Sequence, residues 1–264
     1  MLRNPISGAL SNALRPPFGA SGIDRAQVIA ALYGNDEQGA MYDPSDLSTL
    51  FQDDAGTTPV TADGQPVGLM LDLSGNGNHA TQDTAASRPL YRTDGTLHWL
   101  EFDGVDDFME CTLAGMDAQT HMAGTAVRRA AASSAAGDYW GNRIANNGRI
   151  CRLRSTNDML YAHVANPDAD IIDSISDATA FNVFYAGSSE STSFNAANGG
   201  ALNESGAAGY DETDSPTYRF GRGQSGDVLG GDIAAHATRL TPLTPESRAL
   251  LEKWLASKSG VTLP

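Results

Sequence analysis

The stretch from Leu100 to Glu110, LEFDGVDDFME, gathers five acids: Glu101, Asp103, Asp106, Asp107 and Glu110. Two carboxyl groups about 5–5.5 Å apart on one face of a strand are what a retaining glycosidase places on either side of a sugar bond. The Glu-x-Asp-x-x-Asp spacing makes such a pair conceivable, but Asp103-Gly104 reads as a hairpin turn that carries the acids around a bend and not along one groove. Catalysis by this set is therefore the lesser expectation, and no catalytic residue is assigned. Clustered acids and loop carbonyls also suit Ca²⁺. The DGVDD and DLSGNGN segments could each offer it two or three oxygens, yet neither has EF-hand spacing. The plainer reading is that Asn and Asp bond their own backbone while Gly supplies positive φ. SGNGNH does not run into a Lys-Ser/Thr helix start, and GQSGD lacks the nucleophile elbow, so neither phosphate binding nor a serine nucleophile is expected. With no CxxC or His/Cys cluster, no zinc is expected. No cofactor and no metal site are assigned, Ca²⁺ remaining the one ion left open.

Sugar recognition has its own candidates. Tyr139 and Trp140 sit in DYWGNRIANNGR, which reads as a loop, Tyr161 and His163 fall on one face of a strand, and Arg152 lies on the strand before it. Flat aromatic rings beside Arg and Asn can both stack on a sugar and hydrogen-bond to it. The alternative for Trp140, given equal weight, is burial against a sheet.

The elements that must position these residues are short. There are 28 glycines in 264 residues, and this dense punctuation implies many brief strands joined by turns. From about residue 40 to 240 the apolar runs are GLMLDL (68–73), HWLEF (98–102), ICRLR (150–154), MLYAHVA (159–165), FNVFYAG (181–187), YRFG (218–221) and DIAAHATRL (232–240). They predict an all-β antiparallel sandwich or jelly roll. Two helices flank it. Asp24 caps the first, Gln27 holds the capping-box position, Val28, Ile29 and Leu32 make one face, and Gly34 ends it. In LTPESRALLEKWLASKSGV, Thr244 caps, Pro245 takes the first helical position, Glu246 follows and Gly260 closes. Leu250, Leu251, Trp254 and Leu255 form the face that should lie on the sandwich.

Before the first helix, Leu2, Ile6, Leu10 and Leu14 stand four apart on one stripe of a short helix, which Pro16, Pro17 and Phe18 then stop. Such an arm does not fold alone. It either docks on a partner surface or stays disordered. The expected division is an arm with its short helix over residues 1–36, and a jelly-roll domain with its C-terminal helix over 37–264.

A net charge of −15, with Lys253 and Lys258 the only lysines, argues against a nucleic-acid or anionic-membrane partner. No run of about 18 apolar residues exists, and the N-terminus lacks the apolar core of a signal peptide, so it reads as retained. Cys111 and Cys151 read as two buried thiols and not as a disulfide framework.

The blocks MYDPSDLSTLFQDDAGTTPVTADGQPVGLMLDLSGNGNHATQ (41–82), SRPLYR (87–92), LEFDGVDDFM and LTPESRALLEKWLASKSGVTL together resemble concanavalin A-like, or laminin G-like, jelly-roll domains. The likeness is nearest to a version found in structural proteins of tailed bacteriophages. It covers the chain from about residue 40 onward, with only a loose match between about 112 and 230. It implies a two-sheet jelly roll used for adhesion or as a virion surface module on a head or tail appendage, without catalysis, in which SGNGNHATQ and FDGVDD mark the fold. It also gives the arm a role, with Leu2, Ile6, Leu10, Leu14, Pro16, Pro17 and Phe18 anchoring the chain to a particle. The expected partners are other virion proteins through the arm, host-surface polysaccharide, and further copies of this chain. The alternative is a particle-borne glycanase.

Overall fold

The computed structural model describes residues 23–113, 115, 120–130, 137–141, 149–153, 158–163, 171–189, 192–206, 216–222 and 227–264. Helix α1 (Arg25–Tyr33) leads into β1 (Gly39–Tyr42), β2 (Leu50–Phe51), β3 (Leu69–Met70), β4 (Ala80–Thr81), β5 (Leu90–Thr93) and β6 (His98–Asp103). The middle of the chain forms β7 (Met109–Thr112), β8 (His121–Arg129), β9 (Gly137–Gly141), β10 (Arg149–Leu153), β11 (Asp158–His163) and β12 (Ile171–Ser174). Then come β13 (Asn182–Ser189), β14 (Thr192–Ala197), β15 (Asn203–Gly206), β16 (Thr217–Phe220), β17 (Gly230–Arg239) and helix α2 (Pro245–Ser259).

The strands make two antiparallel sheets. The first runs β15-β14-β13-β8-β17-β6-β5, with β1 paired to the second half of β17; the second runs β12-β11-β10-β9-β16-β7-β4-β3-β2. Their facing surfaces enclose the larger core, which includes Tyr42, Leu100, Phe102, Trp140, Phe184, Tyr218 and Phe220. The helices cover the outer face of the first sheet and build a second core from Val28, Leu32, Met122, Tyr185, Leu251, Trp254 and Leu255. The result is a three-layer stack of helices, sheet and sheet, the jelly-roll sandwich with its packed C-terminal helix that the sequence predicts.

Both helices start as their sequences dictate. Asp24 accepts from the Ala26 amide, Thr244 accepts from the Ser247 amide, and α2 ends at Gly260 in the left-handed region (φ 72°). Helix α1 packs with α2 through Val28 and Leu32, and Tyr33 Oη donates to the carbonyls of Ala40 and Thr238. The arm residues Leu2, Ile6, Leu10, Leu14, Pro16, Pro17 and Phe18 lie outside the described residues.

Period-two alternation sets the two faces of each central strand. On β8, Ala123 and Val127 point into the sandwich while Met122 and Ala126 point to the helices. On β17 the register slips between Ile233 and Ala235, and the bulge resets the parity, so that both Ile233 and His236 face inward. The inward polar groups are bonded to one another: His236 lies 2.7 Å from Thr125 Oγ1 and 3.0 Å from Tyr218 Oη, and His121 lies 2.7 Å from Thr238 Oγ1. Burial holds the His236 imidazole down to about 3, so it is neutral at ordinary pH.

Two expectations concerning turns and thiols can be compared directly. The DGVDD turn is not a hairpin, because β6 pairs with β5 and β17 in the first sheet whereas β7 pairs with β16 and β4 in the second. The turn crosses from one layer to the other. Cys111 and Cys151 are both free and buried, and burial pushes the Cys111 thiol up to about 12.

Candidate functional site

The acids of LEFDGVDDFME are engaged, Asp103 and Asp107 by their own backbone and Glu101, Asp106 and Glu110 by side chains of other strands and loops. Asp103 Oδ1 accepts from the amides of Val105 (2.7 Å) and Asp106 (3.2 Å), and Asp107 Oδ2 accepts in return from the Asp103 amide at 3.0 Å. Ser87 Oγ donates to Asp106, Arg92 pairs with Glu101 at 2.8 Å, and Arg219 pairs with Glu110 at 2.8 Å. Carboxylate oxygens of Asp103, Asp106 and Asp107 come within 4.8 Å of one another. Burial pushes the Asp107 carboxyl up to about 7.

The DLSGNGNH loop is organised around one buried carboxylate. Asp72 accepts from the amides of Met41, Ser74 and Asn78 and from the Ser74 hydroxyl, at 2.7–3.0 Å. The Gly39 carbonyl accepts from Ser74 Oγ, Asn76 Nδ2 and Asn78 Nδ2. The His79 Nδ1 accepts from the Asp72 amide at 3.0 Å. This loop fastens β1 to β3 and carries the turn chemistry read from its sequence.

The expected aromatic platform requires a correction. Tyr139 and Trp140 lie on β9, not in a loop, and neither has exposed surface. Across from them, Cys151 pairs with Trp140 and Arg152 with Asp138, leaving Tyr139 as the extra residue of a bulge. That bulge brings two consecutive rings into the core, where Tyr139 packs edge-on against Phe184 and Trp140 stacks on Tyr218 at 5.6 Å. Trp140 therefore follows the alternative reading, burial against the sheet. Arg152 is half-buried and serves structure: its Nε donates to Asp138 at 2.6 Å and its Nη2 to Asp227. Burial alone would lower its guanidinium, and the two carboxylates more than reverse that. Tyr161 and His163 stand on β11 opposite Cys151 and Arg149, and their side chains lie outside the described residues.

A different place combines rings, charges and room. Between α2 and the outer face of β13–β15 lies a groove of about 490 Å³. Tyr185 and Phe194 form its floor, both buried and stacked on one another with centroids 5.5 Å apart and planes inclined by 21°. The Arg248 guanidinium lies 5.1 Å from the centre of the Tyr185 ring. It is fixed by Glu252 Oε1 at 2.9 Å and by the Gly200 carbonyl at 2.8 Å. Burial raises the Glu252 carboxyl, and Arg248 works against that rise. Thr192, Leu202 and Glu204 line the opposite side. A smaller cleft of about 300 Å³ beside Asn78, His79, Glu110 and Thr217 is polar and has no aromatic side chain other than His79.

Sequence reasoning read Tyr185 only as part of a strand and Arg248 only as part of a helix. One signal was available: Arg248 and Glu252 are four apart on α2, the spacing of an ion pair, and Glu252 flanks the apolar stripe beside Leu255.

No protein-family model and no curated protein matches the chain. Solved structures do. The binding domain of botulinum neurotoxin serotype D aligns with a TM-score of 0.59 and 11% identity over 86% of this chain and 52% of its own. Botulinum neurotoxin type C, whose uptake into cells depends on interaction with two ganglioside molecules, aligns at 0.57 with 12% identity over 88% and 53%. An arabinofuranosidase complexed with arabinofuranosyl-alpha-1,2-xylobiose aligns at 0.54 with 14% identity over 73% and 51%. The fold is a jelly-roll β-sandwich. This chain spans about half the length of each of these structures. At such identity the likeness is one of fold, and the jelly roll serves binding and catalytic proteins alike.

Proposed function

We propose that this chain is a glycan-binding adhesion module of a tailed-bacteriophage particle, with the jelly roll facing outward and residues 1–22 attaching it to a capsid or tail component. The observation that carries the glycan reading is the groove of about 490 Å³ between α2 and β13–β15, where Thr192, Leu202, Glu204 and the Gly199–Gly200 turn lie beside the fixed Arg248–Glu252 pair above a buried floor of Tyr185 and Phe194. A concave site with a mostly apolar floor and a few convergent polar groups is the kind of place where a sugar's hydroxyls are met. The particle reading is supported by the resemblance of the 41–82, 87–92 and C-terminal blocks to phage structural proteins. Binding is favoured over hydrolysis because the acids of the 101–110 stretch are engaged by amides, Ser87, Arg92 and Arg219.

A glycan array with the full chain tests the first part. Binding is expected, and it should be lost in Thr192→Trp, which fills the groove from β14, while the thermal midpoint stays near that of the parent. Absence of binding to any glycan, or undiminished binding by the filled variant, refutes it. Deleting residues 1–22 tests the second part: the jelly roll should still fold but no longer join particles. Incorporation of the truncated protein would exclude the arm as anchor. Polysaccharide breakdown that is lost in Glu101→Gln or Asp103→Asn would instead favour a glycanase.

A further inference from the structure

Leu202 is 37% exposed, one of the few large apolar side chains left on the surface among the described residues. It stands on the rim of the groove between α2 and β13–β15, and the rim beside it is apolar as well: Pro242, Pro245 and Ala249 are exposed and Leu243 is half-buried. Tyr185 and Phe194 close the floor beneath and are buried, so an occupant meets this rim and not the ring faces. Such a rim favours an apolar occupant over open water. The charges favour a cationic one. Arg248 and Glu252 offset one another at 2.9 Å, while Glu204 on one wall and Glu246 next to Pro245 add exposed negative charge.

One segment of this chain has the matching chemistry. Residues 1–22 carry Leu2, Ile6, Leu10 and Leu14 at a spacing of four, together with Arg3, Arg15 and no acid, while the chain as a whole carries −15. The point where this segment joins the fold is close to the groove. Asp24, Arg25 and Ala26 open α1 in a cleft that they share with Lys258, in the last turn of α2. Arg248 lies ten residues earlier on the same helix, which puts the groove about 15 Å back along α2 and about 10 Å across it. Residues 15–22 alone span up to about 26 Å when extended, enough to bring Leu14 to the rim with the whole apolar stripe beyond it. A tether so short keeps the arm at a local concentration on the order of millimolar, so weak apolar contacts suffice. We propose that in the free chain the arm folds back into the groove of its own molecule and withholds it from glycan, and that capture of the arm by a particle component opens it. The inference rests on the glycan-binding and anchoring readings above.

Hydrogen exchange of the full chain, read by mass spectrometry on peptides covering 1–22 and 199–206, tests the docking. Both regions should exchange at least about tenfold more slowly in the parent than in the double variant Leu10→Asp/Leu14→Asp. Thr192→Trp, which fills the groove and leaves the arm sequence intact, should release the arm equally. Unprotected arm amides in the parent, or protection that Thr192→Trp does not change, overturns the inference. So does protection that falls on dilution, which would place the arm in another copy. Glycan affinity should be at least about tenfold higher in the Leu10→Asp/Leu14→Asp variant than in the parent, since a groove open about a tenth of the time binds with about a tenth of its affinity. Equal affinities overturn the withholding and leave glycan binding intact. Binding by neither protein, with the arm still protected, overturns the glycan reading and leaves the docking standing.

Discussion

Lys258 Nζ lies 2.7 Å from Oδ2 of Asp43, a carboxylate with no accessible surface. One of the two lysines thus ties the last turn of α2 to the loop after β1, and Ser45 closes the triangle by donating to Asp43 Oδ1 and accepting from Lys258 at 2.8 Å. Arg25 of α1 approaches the same Oδ2 at 3.6 Å. Lys258→Met should cost up to about 3 kcal/mol, because it leaves the buried Asp43 carboxylate with only the more distant Arg25 as a countercharge. Adding Asp43→Asn should restore part of that loss, since no buried charge then remains. Urea unfolding of the single and double variants checks both, and an undiminished loss in the double variant would show that the charge is not the cause.

Stability should carry two opposed pH slopes. Asp107 is pushed up to about 7 by burial, whereas in the unfolded chain a carboxyl titrates near about 4. The native state therefore keeps a proton that the unfolded state has lost, so this contribution is full below about pH 4 and disappears as pH rises to about 7. His236 is held down to about 3, against about 6.5 when unfolded, so its contribution is full above about pH 6.5 and disappears as pH falls toward 3. Asp107→Asn removes the first slope and retains an acceptor for the Asp103 amide. The variant's stability should rise with pH between about 4 and 6.5 more steeply than the parent's, measured by urea unfolding across that range. An unchanged profile would show that Asp107 is not the titrating group.

Gly124 lies where Leu251 and Leu255 of α2 press on the first sheet. A Cβ at this position would lie 2.8 Å from Leu255 Cδ1 and 2.9 Å from Leu251 Cδ2. Gly124→Val should destabilise by about 1–3 kcal/mol through overpacking. Leu255→Ala alone should destabilise by about 2–5 kcal/mol through the cavity it opens. Combined, the two should cost less than the sum of the single losses, because the added methyls occupy the vacated space. Strict additivity in thermal or urea unfolding would count against this packing.

Asp72→Ala would strip the acceptor from three amides and one hydroxyl of the DLSGNGN loop. A loss of about 3 kcal/mol or more is expected, as several buried donors become unsatisfied together. Amide exchange at Met41 and Asn78 should accelerate with it, and protection there equal to the parent's would argue against the carboxylate's role.

The seven apolar runs read from the sequence all contain strands, and both helices begin and end at their capping residues. Those segments show alternation or capping that survives in one dimension. Strand β8, HMAGTAVRR, does not: two of its outward positions, Gly124 and Ala126, are small where the helices lie on the sheet, and that requirement exists only once the helices have packed. Tyr139 and Trp140 misled for a related reason. Gly and Asn around them suggest a loop, and the bulge that turns both rings inward is set by pairing with β10. The groove is less legible still, since Tyr185, Phe194 and Arg248 come from three elements that only the folded sheet and helix bring together.

Strand β17 has β8 on one side and, in succession, β6 and β1 on the other. During synthesis, the other described strands of this sheet are therefore all made before the one that joins its two halves. Until residues 230–239 leave the ribosome, β8, β6 and β1 each present an unsatisfied edge to any extended segment nearby. The growing chain should then be most prone to mispairing or chaperone capture while those edges wait, and its folding should be slow, because joining β1 to β17 closes about three quarters of the polypeptide in one contact.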